Sequence, residues 1–182
     1  MDQRTPGIRP RPSLGRQLDA VARGCFPVAS GALLLLLLAA PLGLVGQAEL
    51  QPALLLDCVF FWSLFRPASM PPIAVFVLGL LADLIGDAPI GANVLMLLIV
   101  YGLAVHWRRV LARQGFLLVW LVFCGVAVVA AAFQWALGSL LAFALLPAGP
   151  AAFQAALSAG CYPVFAALFS RTDRGLAAPE QA

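Results

Sequence analysis

Two acidic residues, Asp57 and Asp83, interrupt long apolar stretches of the sequence. An ionisable group inside a lipid bilayer costs roughly 3 kcal/mol or more, so such residues normally face protein and mark working positions. Paired carboxylates at membrane depth can relay protons or bind a cation. In the alternative interpretation, Asp83 bonds to Asn93 or to free backbone amides of a nearby turn. Asp57 is then partly protonated or has a local polar partner.

The surrounding sequence favours the structural alternative. No Arg, Lys or His stands at membrane depth to complete a relay, and no run of further acids or amides marks a path. The single histidine, His106, stands beside Trp107 and two arginines, a group typical of an anchor at the membrane surface. The sequence therefore offers little support for proton or ion transport.

The usual catalytic and binding motifs are missing from the sequence. The chain has no G-x-S-x-G, no H-E-x-x-H and no phosphate-binding glycine loop. Its four cysteines are far apart, so they are expected to pack as small hydrophobic residues rather than bind metal. No cluster of basic and aromatic residues indicates nucleic acid. We therefore expect a protein that is not an enzyme and needs no cofactor or metal.

The composition indicates that the chain folds in a membrane. Of its 182 residues, 63% are hydrophobic and 10% are charged, whereas about 25% are charged in a soluble globular domain. All eleven basic residues are arginine, and they occupy both ends of the chain and every second loop. This distribution predicts that both termini lie in the cytoplasm of a multi-pass inner-membrane protein.

The apolar stretches predict an all-α bundle of six transmembrane helices in residues 25–170. Residues 1–24 are expected to form a disordered Arg- and Pro-rich cytoplasmic arm, and residues 171–182 a short cytoplasmic tail. A hydrophobic core of roughly 30 Å requires about 20 residues per helix. The predicted spans are residues 26–46, 52–65, 71–85, 92–107, 116–135 and 151–170, with 136–146 as a helical extension or an interfacial segment.

The centre of the chain is residues 66–93, which read RPASMPPIAVFVLGLLADLIGDAPIGAN. The segment opens with an Arg-Pro turn, carries Asp83 in an apolar helix, and ends in a Pro/Gly/Asn turn that leads directly into the next span. At Arg66-Pro67 and at GLLADLIGDAPIGAN it resembles the MreD family of rod shape-determining proteins, the alphaproteobacterial members in particular. The resemblance continues more loosely through residues 116–154 and through Tyr162-Pro163.

This resemblance implies a non-enzymatic scaffold of the cell-elongation machinery, which builds the lateral peptidoglycan wall. The implied partners are the protein MreC and, directly or indirectly, a glycosyltransferase and a penicillin-binding transpeptidase, within membrane lipid. The family fold is similar to the substrate-binding component of energy-coupling-factor transporters. That similarity leaves a second possibility, a substrate-capture subunit of a vitamin-type uptake system, although few hydrogen-bond donors are expected near the outer face.

The motif assigns candidate positions for structure or partner binding by resemblance. Asp83, Gly91 and Asn93 match the family pattern, and Arg66, Pro67 and Pro89 support the two turns. Asp57 departs from the pattern, because relatives usually carry an apolar residue there. This departure weakens any functional pairing of the two acids.

Overall fold

The structure, a computed structural model, describes residues 14–40, 46–86 and 89–177, with side chains from residue 24 to residue 171 within those ranges. This part of the chain contains α-helices and one 3₁₀ turn, Pro67–Ser69, and no strand. The helices are α1 (Leu14–Ala39), α2 (Gln47–Phe65), α3 (Pro72–Ile85), α4 (Ala92–Leu111), α5 (Phe116–Leu141) and α6 (Gly149–Ala177).

Length and hydropathy identify the chain as a helical, multi-pass membrane protein. Within the described ranges, four helical segments are long and apolar enough to cross a bilayer: Gln47–Phe65, Ala92–Leu111, Phe116–Leu141 and Gly149–Arg171. The apolar part of α1, Gly24–Ala39, and the whole of α3 are shorter. The prediction of an all-α membrane protein is confirmed, while the count of six spans stays a prediction.

Helix α2 is the central helix of the bundle. Thirteen of its nineteen residues are buried, and it packs against α1, α4 and α6. A helix that is apolar on every side is typical of a position surrounded by other helices. Aromatic residues fill the contact with α5 and α6: the Phe60 ring lies 5.0 Å from Phe123, and Phe123 stacks on Tyr162 at 4.2 Å between ring centroids.

The start of α2 lies further upstream than the sequence indicates. The prediction began this span near Pro52, but the helix begins at Gln47, so it has 19 residues and is about 28 Å long. It therefore approaches the thickness of the hydrocarbon core, roughly 30 Å. The Gln47 side chain donates to the carbonyls of Leu38 and Ala40 at 2.8 and 2.5 Å, which ties the end of α1 to the start of α2.

The other helices differ from the predicted spans mainly because they are longer. Helix α1 begins at Leu14, inside the segment assigned to the arm, because no proline stands between residues 14 and 26. Residues 1–13 and 178–182, which belong to the predicted arm and tail, lie outside the described residues. Helix α5 continues without a break to Leu141, so the first half of the predicted extension is helical.

A proline in α6 is accommodated by a side chain of α5. Pro163 has no backbone N–H, so the carbonyl of Ala159, one turn earlier, loses its helical partner. The indole Nε1–H of Trp120 donates to that carbonyl at 2.9 Å. In a membrane-spanning helix, a freed backbone group needs such a replacement partner, and here the replacement also joins α5 to α6.

The two ends of the bundle carry different groups. At one end, which we call the Arg108 end, the Nε–H of Arg108 donates to the carbonyl of Leu64 at 3.1 Å. A basic group at the C-terminus of α2 satisfies a carbonyl that lacks a helical partner and complements the helix dipole. At the opposite end, the Asp83 end, lie the last turn of α3, the first turns of α2, α4 and α6, and the last turns of α5.

Candidate functional site

Asp83 lies in the last turn of α3 and bonds to the first turn of α4. Its side chain is 3% exposed. One carboxyl oxygen, Oδ2, accepts from the backbone N–H of Gly91 at 2.7 Å and of Val94 at 3.4 Å, and Oδ1 accepts from the N–H of Asn93 at 2.9 Å. The first N–H groups of a helix have no partner within the helix and carry a partial positive charge. Asp83 therefore caps α4 from a neighbouring helix.

The turn between α3 and α4 has the backbone that this capping requires. Gly91 has φ +95°, in the left-handed region that a residue with a Cβ adopts only at a cost. Its carbonyl accepts from Leu95 at 2.9 Å, and the Pro89 carbonyl accepts from Ala92 at 3.0 Å. Four of the candidate positions, Asp83, Pro89, Gly91 and Asn93, therefore lie together where α3 ends and α4 begins.

A chain of three amide side chains extends from this turn across two further helices. The Gln134 Nε2 of α5 donates to the Asn93 Oδ1 at 2.7 Å, and the Gln154 Nε2 of α6 donates to the Gln134 Oε1 at 2.7 Å. We call this series Asn93–Gln134–Gln154 the amide chain. The sequence shows no run of amides because Gln134 and Gln154 are far apart along the chain, and the fold brings them together beside the candidate turn.

The amide chain lines a cavity of about 330 Å³ at the Asp83 end. We call it the amide cavity. Glu49 and Gln51 of α2 line it together with the amide chain, and Trp135 forms part of its apolar wall. Known ligand pockets have volumes of roughly 300–1,000 Å³ and combine apolar walls with a few polar groups. Four amide side chains, those of Gln51, Asn93, Gln134 and Gln154, therefore line this cavity.

The groups around the amide cavity are suited to recognition rather than reaction. Amides donate and accept hydrogen bonds, and the Glu49 carboxylate can accept from a cationic group. No group of three or more His, Cys, Asp or Glu that could hold a metal occurs among the described residues. Within that part of the chain the cavity has no lining Ser, Cys or Lys to act as a nucleophile.

Arg66 and Pro67 lie at the Arg108 end and do not reach this site. The Arg66 N–H donates to the Trp62 carbonyl at 2.7 Å, and the Arg66 carbonyl accepts from Ser69 at 3.0 Å. Eleven residues of helix separate Pro72 from Asp83, a rise of roughly 16 Å. The structure therefore divides the six candidate positions into two groups, one at each end of α3.

The second acid, Asp57, is buried in the middle of α2 and is not connected to Asp83. Its side chain is 0% exposed, and neither carboxyl oxygen has a hydrogen-bond partner among the described residues. The partners of Asp83 all belong to residues 91–94. A proton relay between the two acids therefore has no hydrogen-bonded link in the described part of the chain.

Two functional candidates were missed by sequence reasoning, Gln134 and Gln154. Each is the single amide side chain in its helix, and each lies within a mainly apolar stretch. A polar side chain in an apolar span is a signal that could have identified them, because such side chains normally find polar partners within the bundle.

The chain was compared with known families, curated proteins and solved structures. No curated protein and no solved structure matches it. The family model described as rod shape-determining protein MreD matches residues 27–171. That range includes the capped turn, the amide chain and every residue that lines the amide cavity. The chain therefore belongs to the MreD family of rod shape-determining proteins.

Proposed function

We propose that this protein is a non-enzymatic scaffold of the cell-elongation machinery and binds MreC at the Asp83 end of the bundle. Through MreC it would assist the glycosyltransferase and the penicillin-binding transpeptidase that build the lateral wall. Family membership supports a role in rod shape. The observation that carries the finer proposal is the capped turn, in which one carboxylate holds three backbone N–H groups beside the amide cavity.

The capped turn supports binding because it is formed before a partner arrives. Asp83 restricts Gly91, Asn93 and Val94 to one backbone arrangement, so a partner does not have to order them. A preformed surface avoids the loss of conformational entropy that ordering a loop on binding would cause. The rim of the amide cavity and the exposed Ile90 beside it would then meet MreC in a fixed geometry.

The test is co-purification of MreC with the Asp83→Ala and Asn93→Ala variants from native membranes, together with cell shape. We expect both variants to recover less MreC and to produce rounded cells. Gly102→Ala is the matched control, because Gly102 is exposed on α4 and an added Cβ meets no atom within 4 Å. Normal recovery of MreC and normal rods with both variants would contradict the proposal.

The topology belongs to the same proposal. We place the Asp83 end outside the inner membrane and both termini in the cytoplasm, with six spans arranged like the substrate-binding component of an energy-coupling-factor transporter. The described arginines support this orientation. Arg66 follows α2, Arg108 and Arg109 lie in the last turn of α4, and Arg113 follows α4. Reporter fusions at the two termini test it, and termini on opposite sides would reject it.

A second candidate, a substrate-capture subunit for a small vitamin-type molecule, is favoured by the amide cavity itself. Its volume and its mixture of amides and apolar walls suit a small polar ligand. The two candidates differ in what occupies the cavity after purification. A small molecule retained by the wild-type protein and lost in Gln134→Leu, detected by native mass spectrometry, would favour the second candidate.

A further inference from the structure

Asp57 is a buried acid that the proposed scaffold does not use. It lies near the middle of α2, the helix that the rest of the bundle surrounds. Both of its carboxyl oxygens are inaccessible and have no hydrogen-bond partner among the described residues. One turn before Asp57 along α2, the Ser158 hydroxyl of α6 donates to the Ala53 carbonyl at 3.4 Å.

The surroundings of Asp57 supply no compensating charge. The titratable groups that interact with it electrostatically are Cys58 on its own helix, Cys124 on α5, and Cys161 and Tyr162 on α6. None of these carries a positive charge in either protonation state. The Asp57 carboxyl is completely removed from water, since the residue is 0% exposed.

The other packed helices do not offer a cation to Asp57 either. Their described titratable side chains are Cys25 on α1, Asp83 on α3, and Tyr101, His106, Arg108 and Arg109 on α4. Among the described residues, α2 also carries Glu49 in its first turn, and α6 also carries Arg171, which is exposed. Arg108 donates to the Leu64 carbonyl, and Asp83 bonds to the first turn of α4. An ionised carboxylate at this position would be an isolated buried charge, which is far less favourable than a neutral acid that lacks a hydrogen bond.

We propose that Asp57 is a proton-binding site: the folded protein holds it as an uncharged carboxylic acid, and the packing of α2 depends on that proton. Asp83, by contrast, accepts three N–H bonds at the start of α4. The carboxyl groups of the two helices therefore differ in their hydrogen-bond partners.

The proposal fixes the sign of a pH effect. An aspartate in the unfolded chain loses its proton above a pH of about 4, whereas the folded protein retains the proton on Asp57. Unfolding then releases one proton, so stability falls as the pH rises. For one proton, the ratio of folded to unfolded protein falls about tenfold for each pH unit.

The first test is infrared spectroscopy of the full chain in lipid nanodiscs at pH 7, with carboxyl-¹³C aspartate incorporated. We expect the carbonyl band of an un-ionised acid in the wild type and in Asp83→Asn, and its absence in Asp57→Asn. If Asp57→Asn does not fold, the wild-type band alone decides, since its persistence up to pH 8 supports the proposal. Only carboxylate bands in the wild type at pH 7 would overturn it.

The second test is reversible unfolding in mixed micelles between pH 5 and pH 8. We expect the wild type to lose stability relative to Asp57→Asn by about tenfold per pH unit. Asp83→Asn, the matched variant, should keep the wild-type slope at a lower stability, because its amide cannot replace a carboxylate that accepts three N–H bonds. Parallel curves for the wild type and Asp57→Asn would overturn the proposal.

Discussion

The backbones of α3 and α4 are in contact at Gly79 and Val94. A Cβ added to Gly79 would lie 2.6 Å from the Cα of Val94 and 3.0 Å from its nitrogen. Asp83 lies one helical turn after Gly79 on α3. The N–H of Val94 is one of the three groups that donate to the Asp83 carboxyl. The close approach at Gly79 therefore sets the distance across which Asp83 can cap α4.

We expect Gly79→Ala to destabilise the bundle by about 1–3 kcal/mol, because the new methyl group meets backbone atoms that cannot rotate away. The helices must separate, and the bonds from Gly91, Asn93 and Val94 to Asp83 must lengthen. Unfolding in mixed micelles measures the stability. Co-purification of MreC measures whether the separated turn still binds.

Gly102→Ala is the control for the change of residue type. Alanine is favoured over glycine within a helix by up to about 1 kcal/mol, and Gly102 has open space around it. This variant should therefore have wild-type or slightly higher stability. Equal stability of Gly79→Ala and Gly102→Ala would show that the contact with Val94 is not limiting.

Gln134 is the middle member of the amide chain, so its loss affects two partners. Gln134→Leu leaves the Asn93 Oδ1 without a donor and the Gln154 Nε2 without an acceptor. We expect a loss of about 1–3 kcal/mol in unfolding free energy, the usual cost of unpaired buried polar groups. Gln114→Leu, at an exposed position after α4, should change stability by less than about 0.5 kcal/mol.

The double variant Gln134→Leu/Gln154→Leu tests whether the hydrogen bond between these two side chains, rather than their packing alone, stabilises the bundle. The double variant has no Gln154 Nε2 left without an acceptor. The Gln154→Leu substitution should therefore reduce stability less in the Gln134→Leu background than in the wild type. Contacting residues usually show coupling energies of about 0.5–3 kcal/mol. Additive losses from the two substitutions would argue that the bond between Gln134 and Gln154 contributes nothing.

The capped turn could be anticipated from the sequence because its members are close along the chain. Asp83 and Asn93 are ten residues apart, and the helix, turn and helix between them bring the acid to the start of the next helix. The interpretation of Asp83 as the acid that bonds to the turn required only helix geometry and the free N–H groups of a helix N-terminus. The geometry agrees with it, while its role in binding MreC stays a prediction.

The amide chain could not be derived in the same way, because it depends on how distant helices pack. Gln134 lies 41 residues after its partner Asn93, and Gln154 lies 20 residues further on. Nothing local specifies which face of α5 or α6 turns inward. The start of α2 was missed for a different reason: Pro52 reads as a first-turn residue, but the helix accommodates it in its interior.

The indole of Trp120 replaces the hydrogen bond that Pro163 removes from α6, and this gives the most specific prediction. In Trp120→Phe the Ala159 carbonyl has no donor, so we expect a loss of about 1–3 kcal/mol. Trp107→Phe is the control, since Trp107 is 43% exposed and its indole is not the donor to any described carbonyl of α6.

Restoring the backbone donor should remove the need for the indole. In Pro163→Ala the new N–H at position 163 can bond to the Ala159 carbonyl, as in an uninterrupted helix. Trp120→Phe should therefore cost less in the Pro163→Ala background than in the wild type, and unfolding of the four proteins in mixed micelles gives the difference directly. The same loss in both backgrounds would mean that Trp120 stabilises α5 against α6 only through its apolar contacts.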